Sequence, residues 1–139
     1  MAPTRRDVLR LGGAAAAAAM FPAGAATASN GVEQAIAAFT RGAMALEAGV
    51  RLEVPEIADN GGAVPVRVAA EGARRIALFN DGNPYPGVAV FSFGPLAPPA
   101  ATIRIRLAGS QNVIAVAELA DGTFRKASRA IAVTVGGCA

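Results

Sequence analysis

From Val50 onward, apolar and polar residues alternate with a period of two. The clearest run is Ile103-Arg104-Ile105-Arg106-Leu107, with three apolar side chains on one face and two arginines on the other. That period belongs to a half-buried strand and excludes a helix over the same residues. Arg51-Leu52-Glu53-Val54 alternates until Pro55 and the turn-forming Asp59-Asn60-Gly61-Gly62. Val64, Val66 and Val68 alternate with Pro65 and Arg67, and Pro65 marks this strand as an edge or a bulge. Ile76–Phe79 runs into Asn80-Asp81-Gly82-Asn83-Pro84, Val88–Phe93 is closed by Gly94-Pro95, and Ala108-Gly109-Ser110-Gln111 leads into Val113–Glu118. Asp121-Gly122 then turns the chain into Thr123–Ser128 and Ala130–Val135. The pattern predicts an all-β domain, an immunoglobulin-like β-sandwich of about seven strands over residues 49–135. A domain this small buries only about 60–65% of its unfolded surface, so a second subunit covering one sheet would help it. Arg104 and Arg106 read as a solvated sheet face, with a docking surface for an acidic partner as the alternative.

The period differs before the sandwich. Val32, Ile36, Phe39 and Ala43 recur at helical spacing, which predicts a helix over Asn30–Leu46, within an N-terminal segment 29–48. Ser29 or Asn30 can cap its start, and Gly42 is its weak point. The helix either folds back on the sandwich or lies across a partner.

Residues 1–28 have the form of an address. Arg5 and Arg6 stand ahead of Val8-Leu9, the alanine run Ala14–Ala19 and Phe21, and small residues follow. The run is too short and alanine-rich for a spanning helix. The arginine pair fits the twin-arginine signal for export of folded proteins to the periplasm, although Val8 stands where that motif usually has Phe. An ordinary secretory signal is the alternative. Cleavage after Ala28 lowers the formal net charge from +3 to +1. The basic character of the full chain is therefore no argument for nucleic acid, and no membrane role is expected.

The chain has no His and one Cys. A zinc site needs about three or four N or S ligands, so no metal or other cofactor is expected. A disulfide within the chain needs a second cysteine. Cys138 follows Gly136 and Gly137 and precedes the terminal Ala139. Two glycines remove side-chain bulk and free the backbone, so the tail 136–139 reads as a slim, flexible arm. It can carry the thiol on the order of 10 Å past the last strand. With no His to serve as its base, Cys138 is poorly suited to be the nucleophile of a self-contained enzyme. It suits a carried handle on which other proteins perform thiol chemistry. No residue here is assigned a catalytic role.

The ending Val133-Thr134-Val135-Gly136-Gly137-Cys138 resembles the carboxy-terminal arm of the SoxY family, the sulfur carrier subunit of the bacterial thiosulfate-oxidising (Sox) system. Val54–Gly61, Asn83–Phe93, Arg104–Ala108, Val113–Glu118 and Asp121–Phe124 agree with it. The resemblance implies that Cys138 holds sulfur intermediates covalently while other proteins act on them. These are a thiosulfate-coupling c-type cytochrome, a sulfate-releasing hydrolase and a sulfane dehydrogenase. It also implies a heterodimer with a second immunoglobulin-like subunit, SoxZ. The chain departs from the family where Ala139 stands in place of two glycines, and where Ala69–Arg75 is shorter than the usual excursion. A paralogous carrier for another sulfur species is one alternative. A secreted interaction module that uses Cys138 for an intermolecular disulfide is another. A thiol oxidoreductase is disfavoured by the lack of a second cysteine.

Overall fold

The computed structural model describes residues 30–134 of the chain. Arg5, Arg6, Gly136, Gly137, Cys138 and Ala139 lie outside the described residues, as do Ser29 and Val135.

Helix α1 spans Val32–Thr40, six residues short of the expected end. Arg41 at φ 54 and Gly42 at φ 78 both adopt left-handed backbone, and the Gly42 N–H donates to the Ala37 carbonyl, closing the last turn. The chain beyond becomes strand β1, Ala45–Leu46. At the other end the cap is Gly31, without a side-chain cap bond. The Asn30 side chain instead donates to the Asn80 and Asn83 carbonyls, at 3.0 and 2.6 Å.

Strands β2 (Arg51–Glu53), β4 (Val64–Ala69) and β7 (Ala100–Ile105) form one antiparallel sheet in the order β2-β4-β7. The larger sheet runs β1-β9-β8-β5-β6, made with β5 (Ala73–Asn80), β6 (Gly87–Ser92), β8 (Gln111–Leu119) and β9 (Phe124–Val133). Strand β3, Ile57–Ala58, pairs in parallel with the end of β9. The two runs expected at Thr123–Ser128 and Ala130–Val135 are thus one strand, because Arg129 continues the ladder opposite Val113 without a break. Strand β4 is central in its sheet, yet at Pro65 it has only β7 as a neighbour. Strand β2 stops at Glu53, opposite Arg67, so no ladder bond is asked of the missing N–H on that side.

Between the sheets lies one core, with Leu52, Val64, Val66, Val68 and Ile105 facing Ile76, Leu78, Val113, Ala115 and Ile131. The outer face of the large sheet has a second core, in which Val32, Ile36 and Phe39 of α1 cover Ala77, Phe79, Val116 and Phe124. The Phe39 ring meets those of Phe79 and Phe124 edge-on, at 6.2 and 5.9 Å between centroids. The helix therefore packs on its own sandwich. With both faces covered, β5 is buried continuously from Ile76 to Asn80 and loses the simple alternation of a one-sided strand.

Candidate functional site

The expected site, Cys138 with Gly136, Gly137 and Ala139, lies beyond the described residues; its root does not. Strand β9 delivers the chain to Thr134, and two main-chain bonds hold it there. Ala132 N–H donates to the Glu56 carbonyl at 2.9 Å, and Thr134 N–H to the Ala58 carbonyl at 3.1 Å. On the other side Val133 N–H donates to Ser110 Oγ at 2.9 Å, and the Ser110 hydroxyl reaches the Val133 carbonyl at 3.4 Å. The strand is thus gripped from both sides as far as Thr134.

Two close approaches form this grip. The Leu107 N–H donates to the Gly61 carbonyl at 2.7 Å. A Cβ on Gly61 would fall 2.5 Å from the Leu107 carbonyl oxygen and 3.0 Å from a Val133 methyl carbon, so the turn closes only around glycine. Ser110 is positioned in turn by the loop 106–110, which Asn83 fixes. The Asn83 amide donates to the Arg106 carbonyl at 2.7 Å and its oxygen accepts from Ala108 N–H at 2.8 Å. Gln111 donates to that same oxygen and to the Gly109 carbonyl, at 2.8 and 3.0 Å, and accepts from Gly82 N–H at 3.0 Å. Asp81 binds the backbone and side chain of Asn112, both at 2.7 Å. These bonds are of ordinary length and close a network of turn residues at the end of the sandwich where β9 emerges.

Sequence reading singled out Cys138, which lies outside the described residues, and missed this scaffold. Gly61, Asn83, Ser110 and Gln111 were visible only as members of turn clusters. Their extra signal is that Asn and Gln, with donor and acceptor on one group, can bridge two loops. Arg104 and Arg106 are both exposed, as the solvated-face and the docking-surface readings both require. Among the described residues no group of three or more His, Cys, Asp or Glu could hold a metal ion, and no helix is long and apolar enough to cross a membrane.

The family model described as sulfur oxidation protein SoxY matches residues 36–138. A solved structure of the sulfur carrier protein SoxY from Chlorobium limicola f thiosulfatophilum is 34% identical, with a TM-score of 0.65, covering 75% of this chain and 96% of that one. A superoxide reductase (neelaredoxin) from Ignicoccus hospitalis aligns over 65% of this chain and 83% of its own, at 21% identity and a TM-score of 0.57. A putative superoxide reductase from Thermotoga maritima aligns over 61% and 85%, at 20% identity and a TM-score of 0.55. The likeness to these two reductases is one of fold. No curated protein matches the sequence.

Proposed function

This chain belongs to the SoxY family of sulfur oxidation proteins, and from that premise we propose that it carries thiosulfate-derived sulfur covalently on Cys138. The observation that carries the reading is the extent of the family match, which runs to Cys138 itself. The carrier does no catalysis; the reactions belong to its partners. Coupling thiosulfate to the thiol forms an S–S bond, releases the thiol proton and passes two electrons to a c-type cytochrome partner. Hydrolysis by a second partner then frees sulfate and leaves a persulfide, which a sulfane dehydrogenase oxidises. A SoxZ-type subunit completes the carrier, and the twin-arginine segment around Arg5 and Arg6 delivers it to the periplasm.

The grip on β9 suits this role. Fully extended, the four residues after Thr134 place Cys138 at most about 14 Å from it. A root held by β3 and Ser110 makes that reach a fixed radius from the domain, so a partner enzyme that docks on the sandwich meets the thiol in a small volume.

Intact-mass analysis of the purified protein, after incubation with thiosulfate and its oxidising partners, tests the proposal. A reductant-labile adduct that vanishes in Cys138→Ser is expected. A bare thiol, or a disulfide-linked dimer with no adduct, would favour the cross-linking module instead.

A further inference from the structure

The folded domain takes hold of its own N-terminal segment at Asn30. The Asn30 amide group donates to the Asn80 carbonyl at 3.0 Å and to the Asn83 carbonyl at 2.6 Å, and lies 3.3 Å from Asn80 Oδ1. Its own oxygen, Oδ1, is shut off from solvent. Both partners are fixtures of the domain. Asn80, at the end of β5, is buried, and Asn83 fixes the loop 106–110. The next residues continue the attachment. The Gly31 carbonyl accepts from Ala35 N–H at 3.0 Å in the first turn of α1, and Val32 is buried in the core beneath the helix. Pulling Asn30 out therefore breaks its bonds and drags on a buried valine.

Upstream of this anchor the sequence offers two bonds at which a signal segment could be removed. Ala23-Gly24-Ala25 and Ala26-Thr27-Ala28 each set small residues at the first and third positions before the cut. A protease takes its substrate as an extended strand, held along the main chain on both sides of the cut. For a cut after Ala28, the second and third residues beyond it are Asn30 and Gly31. Even fully extended, Ala28 reaches at most about 7 Å from Asn30. For a cut after Ala25, those positions fall on Thr27 and Ala28, and Ala26 can lie as far as about 14 Å from Asn30.

We propose that the signal segment is removed at the Ala25–Ala26 bond, because the folded domain closes the Ala28–Ser29 bond to the peptidase. This rests on reading the segment around Arg5 and Arg6 as a signal that exports the chain already folded. Cleavage of a native chain follows the fraction of molecules that are open at the cut. Opening the Ala28–Ser29 bond breaks at least two hydrogen bonds, each worth on the order of fivefold, so that cut is disfavoured by at least about twentyfold. An unfolded chain carries no such penalty. The fold, and not the local sequence, chooses the bond.

Purified signal peptidase acting on the folded full-length chain, beside a synthetic peptide of residues 18–36, tests the proposal, with products read by intact mass. The ratio of cuts after Ala25 to cuts after Ala28 should be at least about twentyfold higher in the folded chain than in the peptide. Inserting Gly-Ser-Gly-Ser between Ser29 and Asn30 moves the second bond away from the anchor and should restore the cut after Ala28. Circular dichroism checks that the full-length chain and the insertion variant are folded. The proposal is overturned by a folded chain cut after Ala28 as readily as the peptide, or cut at neither bond while the peptide is cut. It is also overturned by a peptide cut only after Ala25, or by an insertion that changes nothing. A peptide cut at neither bond removes the signal reading itself, and the proposal with it.

Discussion

Replacing Arg75 with methionine should cost about 2–3 kcal/mol of folding stability. Arg75 on β5 lies opposite Glu118 on β8, and its Nε donates to Glu118 Oε2 at 2.6 Å. The Glu118 side chain is only 10% exposed, against 33% for Arg75. Its other cation, Arg41, stands 3.9 Å away and is 78% exposed. Removing one partner from a buried ion pair costs about 3–5 kcal/mol, because the remaining charge stays buried. Water reaches Arg75, and Arg41 remains to turn inward, which reduces this to about 1.5–2 kcal/mol. The Arg75 guanidinium also sits 4.7 Å from the Phe39 ring centroid, and losing that contact between β5 and α1 adds about 0.5–1 kcal/mol. Methionine keeps the length of the apolar stem and limits any loss of packing. The chain has no Trp, so urea unfolding is best followed by far-ultraviolet circular dichroism. A melting temperature lower by about 10–15 °C should accompany the loss. Adding Glu118→Gln to Arg75→Met removes the stranded charge and should restore about 1 kcal/mol. A cost below about 0.5 kcal/mol for the single change, or no recovery in the double variant, would refute the reasoning.

Gly61→Ala drives a methyl group into the Leu107 carbonyl and should cost about 1–3 kcal/mol, with faster hydrogen exchange at the Thr134 amide as the root loosens. Unchanged stability and protection would show that the turn relaxes freely. Asp121 predicts a pH effect. Its exposed carboxyl accepts from the Thr123 hydroxyl at 2.6 Å and from the Thr123 N–H at 2.9 Å, which hold its pKa below the ordinary 3.8. The contribution is therefore full above the unfolded-state value and fades as pH falls through and below about 4. Thermal unfolding between pH 5 and pH 3 should lose part of its slope in Asp121→Asn, and an unaltered slope would contradict the assignment.

The fold was legible wherever one physical signal dominated. Ile103–Leu107 alternates because one face meets the core and the other meets water, and such a pattern survives in the sequence. The helix was legible in its apolar face, Val32, Ile36 and Phe39, but not in its length. Ala43–Leu46 continues the helical composition while Arg41 and Gly42 turn the backbone, and β9 then recruits Ala45–Leu46 as a strand. That pairing depends on a strand 79 residues away, which no local window contains. The scaffold at the root of β9 was hidden for a related reason. Asn83 and Ser110 look like any other turn residues until the loops that carry them are brought together. Cys138 drew notice more easily, since a lone cysteine behind two glycines is conspicuous in a chain without histidine.

Strand β9 gives the molecule an order of events. The early strands β1 and β3 have no place in the large sheet until β9 exists, and their partners lie 79 and 75 residues downstream. Such distant pairings make folding slow and leave early strands waiting. On the ribosome both strands wait until β9 has been translated. The sheet β2-β4-β7 and the pairings of β5 with β6 and β8 need no β9, but a message cut short before it would yield a polypeptide with β1 and β3 unclaimed. The segment that bears the cysteine and the segment that completes the sheet are adjacent, so a molecule that has finished folding has also acquired its thiol.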